Sequence, residues 1–177
     1  MKSLIVVFFF LLSGLASSKE LIVSAGASLT DVFRELIESY ERTYGDSEVV
    51  LNLGGSGALL QQIYKGAPVD VYASANMTLV EQAISRKAID KNRVRIFASN
   101  QLVLVAPKGQ SRVKITQLSD LMKDQVRRVA VSNYGVPVGK YTIDFLKNNG
   151  YWVFINKKII NTNNVRQSLA YVLRGEV

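Results

Sequence analysis

Cysteine and histidine are both absent from the 177 residues. That excludes disulfides, thiol nucleophiles, imidazole bases and every zinc site built from those side chains. It also leaves no cysteine for an N-terminal lipid. Charged residues make up only 20% of the chain against 48% hydrophobic. This balance excludes a disordered chain and supplies enough apolar mass for a core. No apolar run is long enough to cross a bilayer as a helix. The longest, Leu4 to Leu12, stands at the very start.

That start has the order of a secretory signal. Lys2 supplies a positive charge, Leu4–Leu12 an apolar stretch, and Ser13, Gly14, Ala16, Ser17 and Ser18 a run of small residues. Residues 1–18 are therefore expected to be a cleaved signal peptide. Export follows, and the periplasm is the expected address.

The net charge is +8. The basic residues form small groups, Arg127-Arg128, Lys157-Lys158 and Lys91/Arg93/Arg95, without interleaved aromatics. A nucleic-acid groove combines cations with stacking rings. These groups read instead as a solvated basic surface, and no nucleic-acid partner is expected.

Along the chain, short apolar runs alternate with small-residue turns and amphipathic stretches. Leu21-Ile22-Val23 reads as a strand and Ser24 to Ser28 as a turn. Leu29, Val32, Phe33, Leu36, Ile37 and Tyr40 then recur at helical spacing. Ser28 with Asp31 predicts a capping box at that helix start. Val49 to Leu53 is a second strand, Gly54-Gly55-Ser56-Gly57 its turn, and Ala58, Leu59, Gln62 and Ile63 a second helix stopped by Gly66-Ala67-Pro68. A third strand is expected over 69–73, followed by a helix through Leu79, Val80, Ala83 and Ile84. This alternation predicts an α/β fold with parallel sheet.

Residues 94–98 and 102–106 read as two further strands, with a crossover between domains near Ser99-Asn100. A short helix is expected over 115–122, a strand at 129–131 and a helix after Val136-Pro137-Val138-Gly139 that Gly150 closes. The stretch 152–160 fits helix and strand equally. Asn163-Asn164 predicts the cap of a last helix that ends near Gly175. The expected division is lobe 1 over 19–98 and lobe 2 over 99–177.

Helix starts carry the candidate chemistry. They present unpaired N–H groups and the positive end of the dipole, which together suit an anion. Ser28, Ser56, Val138-Gly139 and Asn164-Val165 stand at such starts. In doubly wound sheets these turns gather at the carboxyl edge of the strands. Lys140 and Arg166 lie close to them in sequence. Enzyme motifs fail. Gly135 to Tyr141 misses the phosphate-loop pattern by one residue and has Tyr where Ser or Thr is needed. Ser111-Arg112-Val113-Lys114 has the S-x-x-K form without the K-T-G that should follow. A secreted serine hydrolase using Ser28 or Ser56 lacks a histidine base. No enzyme activity is expected.

Five stretches in order carry a resemblance: Leu21 to Leu29; Gly55 to Leu59 with Gln62-Ile63 and Gly66 to Val71; Asn100 to Val105; Val136 to Tyr141; and Asn164 to Leu169. The chain resembles the ModA-type molybdate-binding proteins of ABC importers. The resemblance implies a two-lobed class II periplasmic-binding-protein fold with its cleft between the lobes. It implies a monomer that holds molybdate or tungstate, with no cofactor and no direct protein ligand to molybdenum. The oxyanion would be held by Ser28, Ser56 and the backbone of Val138 and Val165, then passed to an ABC permease. Family members have alanine where Val138 stands. They also continue past Gly175-Glu176-Val177 into a motif with a binding tyrosine. The resemblance therefore implies that the C-terminal part of the fold is missing here and that binding is weakened. Sulfate, another oxyanion or a small organic anion is the alternative ligand, and a remnant that binds nothing is the alternative of another class.

Overall fold

The computed structural model describes residues 19–45, 47–107 and 113–177. The expected signal peptide and the Ser111-Arg112 pair lie outside the described residues. Two parallel sheets organise the chain. The first has the order β2-β1-β3, built from β1 (Lys19–Gly26), β2 (Ser47–Gly54) and β3 (Val71–Ala73). The second is the pair β4 (Val129–Ser132) and β5 (Ile159–Thr162).

In the first sheet β1 is central and the chain winds to either side of it. Leu21, Val23 and Ala25 point to one face, in register with Val49, Leu51 and Leu53 of β2. That face buries Leu29 and Phe33, at the start of helix α1 (Thr30–Thr43). The opposite face meets α2 (Ser56–Tyr64), where Asn52 Nδ2 donates to Gln62 Oε1 at 2.9 Å and to Ser24 Oγ at 3.2 Å. Alternation with period two thus buries both faces of the strand. Helix α3 (Met77–Ser85) follows β3 and is capped by Asn76, whose side chain accepts from the Thr78 N–H at 2.7 Å.

In the second sheet β4 leads into α4 (Pro137–Asn148), the short α5 (Trp152–Ile155), β5 and then α6 (Val165–Leu173). Leu121, Leu146 and Ile155 form its core. The helix turns tightly onto the strand. A Cβ on Gly139 would lie 2.2 Å from the carbonyl oxygens of both Ser132 and Asn133. Only glycine allows that approach.

The structure corrects several expectations. Residues 94–107 form no strand. Strand propensity needs a ladder partner, and no described strand pairs with this segment. Its apolar side chains are left uncovered, Ile96 at 83% and Val103 at 71% exposure. The Ser28 capping box does not form. A 3₁₀ turn, Ala27–Leu29, precedes α1, and Ser28 lies exposed within it. Thr30 closes the turn instead, donating its hydroxyl to the Ala27 carbonyl at 2.7 Å. The expected helix at 115–122 contracts to a 3₁₀ turn, Leu118–Met122. The ambiguous 152–160 stretch splits into α5, one 3₁₀ turn and the start of β5. Lys158 is half-buried and is not simply a solvated charge. Its Nζ donates to the carbonyls of Leu121, Met122 and Lys123 at 3.0, 3.1 and 2.8 Å. It satisfies acceptors that a helix end leaves unpaired.

Candidate functional site

The turns after β1, β2 and β4 and the start of α6 open onto one cavity of about 960 Å³. Ser28, Ser56, Val138 and Val165, the residues singled out in the sequence, all line it. Among the described residues no lysine, arginine, aspartate or glutamate lines it. The cavity has two ends. One is made of turns and helix starts: Gly26 to Ser28, Gly54 to Ser56, Ala75, Val136 to Val138, Asn164 and Val165. The other is apolar and runs beneath the unpaired segment, between Leu102 to Ala106 and side chains such as Leu121, Phe145 and Leu169.

Ser56 is the first residue of α2 and is 1% exposed. Its Oγ accepts the Ala75 N–H at 3.1 Å. A hydroxyl used as acceptor still carries its own proton to donate. The backbone of Ser56 is fixed as well, because Tyr72 Oη donates to its carbonyl at 2.8 Å. Burial pushes the Tyr72 phenol above its ordinary value, so it stays a protonated donor at neutral pH. Ser28 sits on the exposed turn opposite, its side chain free of the capping role expected for it.

The other two residues contribute backbone. Val138 is the second residue of α4, behind Pro137, and Val165 is the first of α6. N–H groups in a first helical turn have no acceptor within the helix. Asn164 caps α6 by accepting the Gln167 N–H at 3.0 Å. A buried hydroxyl cluster steadies the same helix start: Thr162 Oγ1 lies 2.7 Å from Ser168 Oγ, and Ser132 Oγ lies 3.1 and 3.2 Å from those two atoms. Sequence reading missed this cluster because its members come from β4, β5 and α6 and share no local spacing.

Among the described residues, charges flank the cavity without lining it. Lys140 pairs with Asp144 on the α4 surface, which raises the Lys140 ammonium above its ordinary value. Arg166 turns to Asp31, with Nη2 to Oδ2 at 2.5 Å. Ser56 is not set up as a nucleophile among the described residues. The Ser56 Oγ is taken up by a backbone N–H, and the chain has no histidine to serve as its base.

Known proteins resemble this chain. The molybdate-binding protein ModA of Escherichia coli K12 is 32% identical over 93% of this chain and 65% of its own length. The Haemophilus influenzae protein of that name is 28% identical over 91% and 65%. The chain thus spans about 65% of the length of these curated relatives. A solved substrate-binding domain from Clostridium difficile superposes with a TM-score of 0.62 at 30% identity, over 90% of this chain and 69% of that one. The Azotobacter vinelandii periplasmic molybdate-binding protein gives 0.68 at 21% identity, over 89% and 68%, and shares the fold. Residues 21–177 match the family model described as bacterial extracellular solute-binding protein. The chain belongs to the bacterial extracellular solute-binding protein family.

Proposed function

We propose that the chain is an exported binding protein that captures a tetrahedral oxyanion, molybdate or tungstate, between two lobes and hands it to the permease of an ABC importer. The lobes are residues 19–98 and 99–177. The observation that carries this reading is the meeting of four uncharged donor turns on one cavity that no ionised side chain among the described residues lines. The names of the Escherichia coli and Haemophilus influenzae relatives supply the ligand. Ser28 and Ser56 give hydroxyl hydrogen bonds, and Val138 and Val165 give backbone N–H groups. Helix dipoles at α2, α4 and α6 add favourable potential for a dianion.

This chemistry also selects. Among the described residues the cavity lining has no carboxylate to accept a proton from hydrogen phosphate, and a buried donor left unpaired is costly. Sulfate is refused on size, because donors fixed by helix starts cannot follow a smaller ion. The protein works in the periplasm as a monomer, delivered there by the signal at residues 1–18.

Calorimetric titration of the 19–177 chain with sodium molybdate tests this reading, with sulfate and phosphate as competitors. Saturable binding that equimolar sulfate leaves in place supports it. Displacement by sulfate at equal concentration, or no heat from a chain that circular dichroism shows to be folded, overturns it.

A further inference from the structure

The two α/β units touch on either side of the cavity's polar end. On one side glycine backbone packs closely against the second unit. A Cβ on Gly57 would lie 2.3 Å from the Gly135 carbonyl oxygen, and one on Gly55 would lie 3.1 Å from the Asn163 carbonyl oxygen and 3.2 Å from Val136 Cγ2. On the other side α6 packs against the 3₁₀ turn Ala27–Leu29, and a long side chain spans the contact. Arg166 reaches from α6 to the first unit, where Nε donates to the Ala27 carbonyl at 3.3 Å and Nη2 bonds Asp31.

The position of Arg166 is unusual. It is the second residue of α6, where the helix dipole disfavours a cation. The charge is tolerated because it is turned out of the cavity, onto a carboxylate in the first turn of α1. Both ends of this bridge sit beside proposed donors. Ala27 precedes Ser28, and Val165 precedes Arg166. One guanidinium thus sets the spacing between a donor turn of the first unit and a donor turn of the second. The pair stays solvent-accessible, with side-chain exposures of 41% for Arg166 and 66% for Asp31. Accessible pairs are weak and salt-screened, which suits a contact that must open again.

We propose that Arg166 is a cross-cleft latch: it locks the two units over a captured anion by gripping Asp31 and the Ala27 carbonyl, and it positions the Ser28 and Val165 turns without touching the anion. This rests on the oxyanion reading above. When the units separate, Arg166 and Asp31 are both left uncompensated. When they close, each neutralises the other and the anion is left to neutral donors.

The test uses sodium molybdate and three variants, Arg166→Gln, Asp31→Asn and the two combined. Stopped-flow release is expected to be about fivefold faster in each single variant, with the association rate little changed and the combined variant no faster than either. Wild-type release should speed up with added salt, and Arg166→Gln should lose that dependence. Additive effects of the two substitutions, or unchanged release in Arg166→Gln, overturn the latch. A second readout needs no ligand. The chain has no native cysteine, so spin labels on Glu38→Cys and Asn148→Cys report the distance between units without background. The latch predicts a broader distance distribution in Arg166→Gln and an equal one in the combined variant. An unchanged distribution contradicts it. Wild-type protein that fails to bind molybdate while the distributions shift as stated would remove the oxyanion reading and keep the latch.

Discussion

The two units approach the cavity with different chemistry. The three-stranded unit offers side-chain hydroxyls, Ser28 and Ser56, on turns that follow β1 and β2. The two-stranded unit offers backbone, at Val138 and Val165, from the first turns of α4 and α6. A hydroxyl is lost with a single substitution, whereas a backbone N–H survives any side chain but proline. The hydroxyl side of the proposed site is therefore fragile to side-chain change. The backbone side is fragile only to changes that move a helix start.

The sharpest break in that comparison is Gly139→Ala. It leaves every proposed donor in place, yet its Cβ would sit 2.2 Å from two carbonyl oxygens at the end of β4. Relieving the clash must shift α4 and with it Val138. Overpacking of this kind costs about 3 kcal/mol, which urea denaturation should show as a lower midpoint. Next comes Ser56→Ala. It removes a donor to a charged ligand and orphans the Ala75 N–H. A loss of about 2 kcal/mol in anion binding is expected, read as weaker affinity in a titration.

A third prediction probes the scaffold of the backbone side. The Asp120 carboxylate is held well below its ordinary range, first by Lys123 and then by the Thr116 N–H, with the Gln117 N–H and the Thr116 hydroxyl adding smaller shares and burial opposing them. A depressed carboxylate stabilises the fold above its unfolded pKa, and that support is lost as pH falls through the folded value. Melting temperature should therefore drop as pH is lowered below about 4, and Asp120→Asn should flatten that part of the curve. The smallest effect belongs to Val138→Ala. It keeps the N–H and trims only methyl groups, so binding should change by less than about 0.5 kcal/mol.

Much of this was legible in the sequence, because helix starts are local. Glycine and serine after an apolar run announced the turn at Ser56, and Asn164 announced the cap of α6. Three of the differences are non-local. Residues 94–98 and 102–106 have the composition of strands, but a strand exists only through its partner, and none of the described strands pairs with them. Ser28 and Asp31 have the spacing of a capping box, but Arg166, 135 residues away from Asp31 in sequence, claims the carboxylate. Lys158 looked like one of a pair of surface charges until the fold brought the 3₁₀ carbonyls to it.

The most direct test of the neutral-donor account is a paired titration of molybdate into the wild-type chain and Ser56→Ala under identical salt. The account predicts one-to-one binding by the wild type and affinity about thirtyfold weaker in the variant, the factor that 2 kcal/mol represents. Equal affinities in two folded proteins would contradict it, because the buried hydroxyl of Ser56 would then be no part of the site.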